Sequence, residues 1–375
     1  MLKILLTATV QSHICQFHKP LVEMLREHGE VSIHVAAKDN LSEKNGLRLD
    51  FADKTFDVCF SRSVKSIDNF KAYKQLIRII SEGDYDIIHC NTPMGSIVTR
   101  LAARKARKKG TKVFYTAHGF HFYKGAPIKN WLLFYPIEKL FARKTDKLIT
   151  VNCEDYRLAQ SSFSCESFHI HGVGVSSERY FPVTASEREV LYRKLRLDAN
   201  KKYILCVGEL LKNKNQSLAI NAMYKVTKRF PEAVLLIAGN GIMREELESL
   251  VDLMGLKHNV MFLGYCTNLE EYQRICDIAV SCSLREGLPL NLIEAMMTCN
   301  PIVASMNRGH NELVNDGQNG FLVDPYDSDA FAEALIKILD DADMAKAFGE
   351  KGAEIAKRYY SENVKKELQN IYFAN

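Results

Sequence analysis

The sequence lacks several features that would fix a function at once. It has no C-x-x-C pair, no G-x-G-x-x-G and no apolar run near the length of a membrane span. Without C-x-x-C, its ten cysteines do not form a zinc or dithiol signature. Cys59, Cys90, Cys206 and Cys282 sit in short apolar runs that read as strands, so buried free thiols in a reducing compartment are expected. Without G-x-G-x-x-G, the nicotinamide-dinucleotide fingerprint is excluded; the first strand runs instead into Thr9-Val10-Gln11-Ser12-His13. The opening Met1-Leu2-Lys3-Ile4-Leu5-Leu6 is too short an apolar stretch for a secretory signal, and no span follows. A cytoplasmic protein is expected, held at most on the inner face of the cell membrane. Charge of one sign is scarce too. Fifty Lys and Arg against 45 Asp and Glu leave a net +5, too little to argue for a nucleic-acid partner.

What is present is length and alternation. At 375 residues, 47% hydrophobic and 25% charged, the chain has the composition of a globular protein with about two domains. Lys3 to Val10 reads as a strand, Pro20 to Glu27 as an amphipathic helix, and Val31 to Ala36 as a strand. Asp86 to Cys90, Lys112 to Thr116 and Leu148 to Val151 continue the series, with helical stretches such as Gly95 to Lys108 between them. A turn-rich stretch near 172–200 interrupts it. It restarts with strands at Tyr203 to Val207, Ala233 to Ala238, Val260 to Leu263, Ile278 to Ser281 and Ile302 to Ser305, and helices at Gln216 to Arg229 and Met243 to Met254. Strands separated by helix-length segments imply βαβ units, hence an α/β class of two Rossmann-like domains with parallel sheets. The expected divisions are 1–180, 181–355, and a C-terminal helix over 356–375 that can cross back to the first domain, within a helical stretch from Met344 to Tyr372. Ligands of such sheets bind beyond the carboxyl ends of the strands, so chemistry is sought just after strands.

After Ile278 to Ser281 the chain reads Arg285-Glu286-Gly287-Leu288-Pro289-Leu290-Asn291-Leu292-Ile293-Glu294. Pro289 suits the first turn of a helix, where a missing N–H costs nothing. Gly287 permits close backbone approach. The amides from Gly287 to Leu290, with the helix dipole, would face an anion such as a diphosphate. Glu286 stands before the helix and Glu294 about a turn inside it. Taken alone, two glutamates eight apart fit a helix-initiating residue and a solvated charge equally well.

Their setting resembles the E-x7-E signature of the retaining family-4 glycosyltransferases, which have the GT-B fold of two facing Rossmann-like domains around an interdomain cleft. Other pieces stand in that family's order: Val207-Gly208 with Lys214-Asn215, Ala238-Gly239-Asn240-Gly241, Phe262-Leu263-Gly264 and Asn319-Gly320-Phe321-Leu322-Val323. In the first half, Ala117-His118-Gly119-Phe120-His121 and Gly172-Val173 to Arg179-Tyr180-Phe181 also match. The resemblance implies that Glu286 holds the donor sugar, Glu294 the ribose and Lys214 the diphosphate. Gly208, Gly264 and Tyr265 would border the nucleotide, Lys212 and Arg285 would add positive charge, and His118 would reach the donor sugar. It further implies retention at the anomeric carbon, no required metal or cofactor, and a nucleoside-diphosphate sugar, commonly of uridine, as co-substrate. The acceptor would be a glycan, free or lipid-linked, of a capsule or exopolysaccharide type. A small soluble acceptor, a nucleotide-sugar isomerase of the same fold and a non-catalytic binder remain open.

Two places depart from the family pattern. Glu209 stands where an arginine commonly clamps the diphosphate, so Lys214, Lys212 or Arg285 must supply the charge. The first loop lacks glycines and is expected either to aim Ser12 or His13 at the acceptor or to start a helix. Asp84-Tyr85-Asp86 has the D-x-D spacing but precedes a strand and reads as a surface turn. The basic run Arg104 to Lys112, and Trp131 to Ile137 with Lys139, Arg143, Lys144 and Lys147, read either as a solvated face and a core helix or as a patch for anionic membrane.

Overall fold

The computed structural model of the chain describes residues 1–43 and 47–373. It divides into two compact units, Met1–Gly174 with Ser361–Asn375, and Val175–Tyr360. The divisions therefore fall at Gly174 and Tyr360 rather than at 180 and 355.

The first unit carries a parallel sheet of β1 (Leu2–Val10), β2 (Val31–Lys38), β3 (Lys54–Asp57), β4 (Ile87–Asn91), β5 (Lys112–Ala117), β6 (Lys147–Thr150) and β7 (Glu166–His169), in the order β3-β2-β1-β4-β5-β6-β7. The central strands are covered on both faces and so read as continuous apolar runs. The edge strands β3 and β7, mostly exposed or half-buried, have no such run, and the sequence reading missed them. The second unit repeats the design with β8 (Lys202–Val207), β9 (Ala233–Ala238), β10 (Val260–Gly264), β11 (Ile278–Ser281), β12 (Ile302–Ser305) and β13 (Gly320–Val323), in the order β10-β9-β8-β11-β12-β13. Strand alternation serves two cores here. Ile204 and Cys206 of β8 enter one cluster with Leu235, Ile237 and Val280, while Tyr203 and Leu205 enter another with Val234 and Leu236. Strand order reverses between β1 and β4 and between β8 and β11, and at such a reversal loops part and leave a crevice.

The expected helical stretch from Met344 to Tyr372 is interrupted: Ala342–Ala356, a 3-10 turn at Lys357–Tyr359, then Ser361–Phe373. The last helix packs on the first unit. Tyr372 is buried edge-on to Phe114 at 5.0 Å, and its hydroxyl bonds His89 Nδ1. Glu367 accepts from the His171 amide at 2.8 Å, and Lys365 reaches Glu23 and Glu27 at 2.9 Å each.

Helix Ile128–Ala142, with Pro136 inside it, bears out the core-helix reading of the Trp131 segment on one of its faces. Trp131, Phe134 and Tyr135 pack on the core of the first unit. Glu138 pairs with the buried Arg100 at 2.9 Å, and the guanidinium lies 4.4 Å from the centre of the Tyr115 ring. This pins the inner face and turns Ile128, Leu132, Leu133 and Leu140 outward, at 77, 74, 53 and 52% exposure. All ten cysteines are free; Cys90, Cys206 and Cys282 are buried, whereas Cys59 lies outside any strand, half-buried beside Gln75.

Candidate functional site

In the second unit the ends of three neighbouring strands meet through glycine backbone. Gly239 follows β9 with φ +145°, and its amide donates to the Gly264 carbonyl at the end of β10 at 2.7 Å. A Cβ on Gly239 would stand 2.0 Å from the Gly208 carbonyl oxygen, so only glycine fits where these turns converge. Gly208, after β8, leaves its open side to the Lys214 stem, 3.4 Å from where a Cβ would lie.

Lys214 closes a 3-10 turn, Lys212–Lys214, that ties the β8 loop to the β11 loop: Leu284 N donates to Asn213 O at 2.8 Å, and Asn213 Nδ2 to Arg285 O at 3.0 Å. The turn sets Lys214 Nζ 2.6 Å from Glu286 Oε1, with both side chains largely shielded. Gly309 packs beneath Glu286, where a Cβ would meet the glutamate Cβ at 2.8 Å, and Arg308 Nε donates to the Glu286 carbonyl at 3.3 Å.

Several expectations change. Pro289 is the N-cap rather than a residue of the first turn; helix Leu290–Met297 begins one residue later, with Pro289 O accepting from Leu292 N. Leu288 and Leu290 pack against the apolar cluster under that helix, which leaves their backbone to any ligand. Lys212 and Arg285 are exposed, and among the expected cations Lys214 is the one engaged with Glu286. Glu209 is exposed, its carbonyl accepting from Gln216 Nε2 at 3.0 Å. Tyr265 is exposed beyond Gly264, whose φ of +70° ends β10.

Glu294 sits on the second turn of Leu290–Met297, half-buried. Burial pushes its carboxyl up to about 7, although a hydrogen bond from Tyr180 and the nearby Arg179 pull the other way and Glu270 adds to the rise. Arg179 is itself held by Glu270 at 2.7 Å. The sequence reading quoted Arg179 and Tyr180 without giving them a role. It missed His310 altogether. His310 follows β12 and is fully buried, its Nδ1 bonded to Ser305 O and its Nε2 without a partner. Burial lowers it to about 4, with the Ser305 carbonyl and Glu286 opposing and Lys214 assisting. Its signal was positional: a histidine just past a strand end beside the reversal of strand order.

The first unit gathers histidines rather than glycines. Ser12 and His13 do not lie in a loop, because helix Gln11–Phe17 starts directly from β1. Ser12 is buried and bound to Asn40, its amide donating to Oδ1 at 3.1 Å and its Oγ accepting from Nδ2 at 2.9 Å. His13 Nε2 lies 3.2 Å from His118 Nε2. His118 follows β5, and Gly119 behind it takes φ +140°. Burial holds His118 down to about 4 and His13 well below its ordinary value, the latter with smaller contributions from His118 and Arg62. Both rings are therefore neutral at pH 7. Asp84-Tyr85-Asp86 lies at the start of β4, where the Asp86 carboxylate accepts from the Lys3 amide at 2.8 Å; it is a turn, as expected.

With this geometry in hand, similarity to known proteins is informative. Residues 187–355 match the model of the family "Glycosyl transferases group 1", and residues 3–152 match "Glycosyl transferase 4-like". The chain is 38% identical over 374 residues to the glycosyltransferase EpsD of Bacillus subtilis strain 168, covering 99% of this chain and 96% of that one. It is 28% identical over 311 residues to an Escherichia coli UDP-Gal:alpha-D-GlcNAc-diphosphoundecaprenol alpha-1,3-galactosyltransferase, covering 80% and 79%. Among solved structures, Anabaena HepE in complex with UDP-glucose superposes over both whole chains with a TM-score of 0.80 at 18% identity. WaaG, a glycosyltransferase involved in lipopolysaccharide biosynthesis, superposes with 0.77 at 15%, covering 99% and 100%. These neighbours share the GT-B fold.

Proposed function

The chain belongs to the group 1 glycosyltransferases, and from that premise we propose that it transfers a sugar from a UDP-sugar to a hydroxyl of a lipid-linked glycan, with retention and without a required metal. The observation that carries this reading is the Lys214–Glu286 pair at the reversal of strand order in the second unit, with Glu294 and Tyr180 one turn farther along.

The roles follow from charge. As the anomeric bond breaks, negative charge builds on the departing diphosphate, so a fixed cation there stabilises the transition state more than the ground state. Lys214 is that cation, and the amides from Gly287 to Leu290 add partial positive charge at a helix N-terminus. The 2.6 Å pair holds both side chains in place before the donor arrives. When it does, sugar hydroxyls donate to the Glu286 carboxylate while Lys214 turns to phosphate oxygen. Glu294 accepts from the ribose hydroxyls once ionised, positioned by Tyr180. His118 takes the catalytic role toward the donor sugar that the family resemblance gives it. Glu209 is exposed and stands outside the Lys214–Glu286 pair, so the phosphate falls to Lys214.

Two relatives support the choice of substrates: HepE carries UDP and UDP-glucose, and the Escherichia coli enzyme is named for a UDP-sugar and a diphosphoundecaprenol-linked acceptor. The outward face of Ile128–Ala142 supports a lipid-linked acceptor. Ile128, Leu132, Pro136 and Leu140 recur every four residues, Lys139 and Arg143 border them, and no described helix is long and apolar enough to cross a membrane. An apolar stripe with basic neighbours lies well on an anionic surface, here the inner face of the cell membrane. Screening nucleoside-diphosphate sugars by thermal shift, then assaying the best donor with and without lipid-linked acceptor, tests the proposal. Uridine donors should stabilise the fold and transfer should need acceptor. Conversion of the sugar with donor alone would identify an isomerase, and stabilisation without any reaction a binder.

A further inference from the structure

His13, His18 and His118 converge in the first unit. One ring nitrogen from each lies within 4.8 Å of those of the other two. His13 and His118 present the same ring atom to each other, Nε2 to Nε2, at 3.2 Å. Two nitrogens bound tetrahedrally to zinc at ~2.0–2.1 Å stand about 3.3 Å apart, so this pair already has the spacing of two ligands on one ion. His18 supplies the third. It is buried at 3% exposure, and its Nε2 has no hydrogen-bond partner, a costly state for a ring that could find one. The chain places it deliberately, because His18 is the junction where helix Gln11–Phe17 ends and Lys19–His28 begins. His89, 6.0 Å from His18 between ring centres, has both nitrogens occupied by Tyr372 and Thr116 and stands behind the cluster rather than in it.

We propose that His13, His18 and His118 bind one divalent transition-metal ion of the zinc type, with a fourth position open to water or an anionic oxygen. Three imidazoles without a carboxylate select zinc or cobalt over magnesium, which demands oxygen ligands. The ion is not needed for transfer. It occupies the lone pair of His118, and resting on the catalytic role given to that residue above, zinc is therefore an inhibitor.

The test uses the full chain, freed of metal by chelator and titrated with Co²⁺. One ion per chain should bind with the visible absorption of four-coordinate cobalt and no thiolate charge-transfer band, and Zn²⁺ should displace it. His18→Gln and His13→Gln should each abolish this spectrum while retaining the parent's circular dichroism; His13, only half-buried, carries the test if His18→Gln misfolds. Six-coordinate cobalt, thiolate bands, or unchanged uptake in His13→Gln would overturn the proposal. Saturating zinc should slow transfer by roughly 100-fold. If cobalt binds as described but zinc leaves transfer untouched, the metal site stands and the role of His118 falls.

Discussion

Glu294 offers the sharpest quantitative test. Its carboxyl is raised from 4.5 to about 7, chiefly by burial. Between those two values the folded chain keeps a proton that the unfolded chain has released, so stability falls as pH rises across that window and the loss is complete above it. A shift of this size corresponds to about 3 kcal/mol, as an upper figure for a half-buried group. Glu294→Gln keeps the shape and can still accept from Tyr180, but it cannot ionise. The wild type should therefore lose about 3 kcal/mol more than the variant between pH 4.5 and pH 8. For a unit of this size that is ~6–12 °C of differential melting. Melting curves of both proteins across this range, followed by tyrosine fluorescence or circular dichroism, read it directly. Parallel pH profiles would refute the reasoning, because every other titrating group is common to the two proteins. The same ionisation supplies the acceptor for the ribose, so UDP should bind more tightly as pH rises through 7 in the wild type and show no such rise in Glu294→Gln.

Three further outcomes are expected. Lys214→Ala should lower turnover by about 100-fold or more in a donor-dependent assay, while Lys212→Ala, exposed and away from Glu286, should stay within about 3-fold of wild type; equal mild losses would remove Lys214 from the site. Gly239→Ala should destabilise the second unit by about 3 kcal/mol or more in urea unfolding, because its methyl would meet the Gly208 carbonyl at 2.0 Å. Leu132→Asp with Leu140→Asp should abolish sedimentation with anionic liposomes at low salt without altering the melting temperature, both residues being exposed.

The sequence was most legible where burial was complete. β9 is apolar at every position and buried at every position, so its place was plain, and so were β1, β4, β5 and β8. β3 and β7 escaped because an edge strand need not be apolar to pair. In the candidate site, Glu286 was visible because a Gly-Leu-Pro turn after a strand framed it, and Lys214 because of the family resemblance. That they pair with each other was not, since the contact depends on a 3-10 turn whose residues Lys212-Asn213-Lys214 carry no pattern. For Ser12 and His13 the sequence left a loop and a helix start both open, and the helix start holds: β1 passes into a helix without a turn, and Val10 caps that helix with backbone alone. His18 gave no signal, because a lone histidine among ordinary neighbours is silent until the fold brings partners to it, and the only cue to His310 was its place after a strand end.

The helix Ser361–Phe373 returns to the first unit, and it is made after the whole of the second. During synthesis the sheet of the first unit emerges long before Tyr372 can cover His89 and Phe114, or Glu367 can reach His171. That surface stays uncovered while the whole of Val175–Tyr360 is translated. The first unit thus reaches its final form only after the second has left the ribosome, whatever order their sheets assemble in. A chain stopped at Tyr360 would carry an intact second unit and an unfinished first one, so a lesion downstream of one unit would be felt in the unit upstream of it.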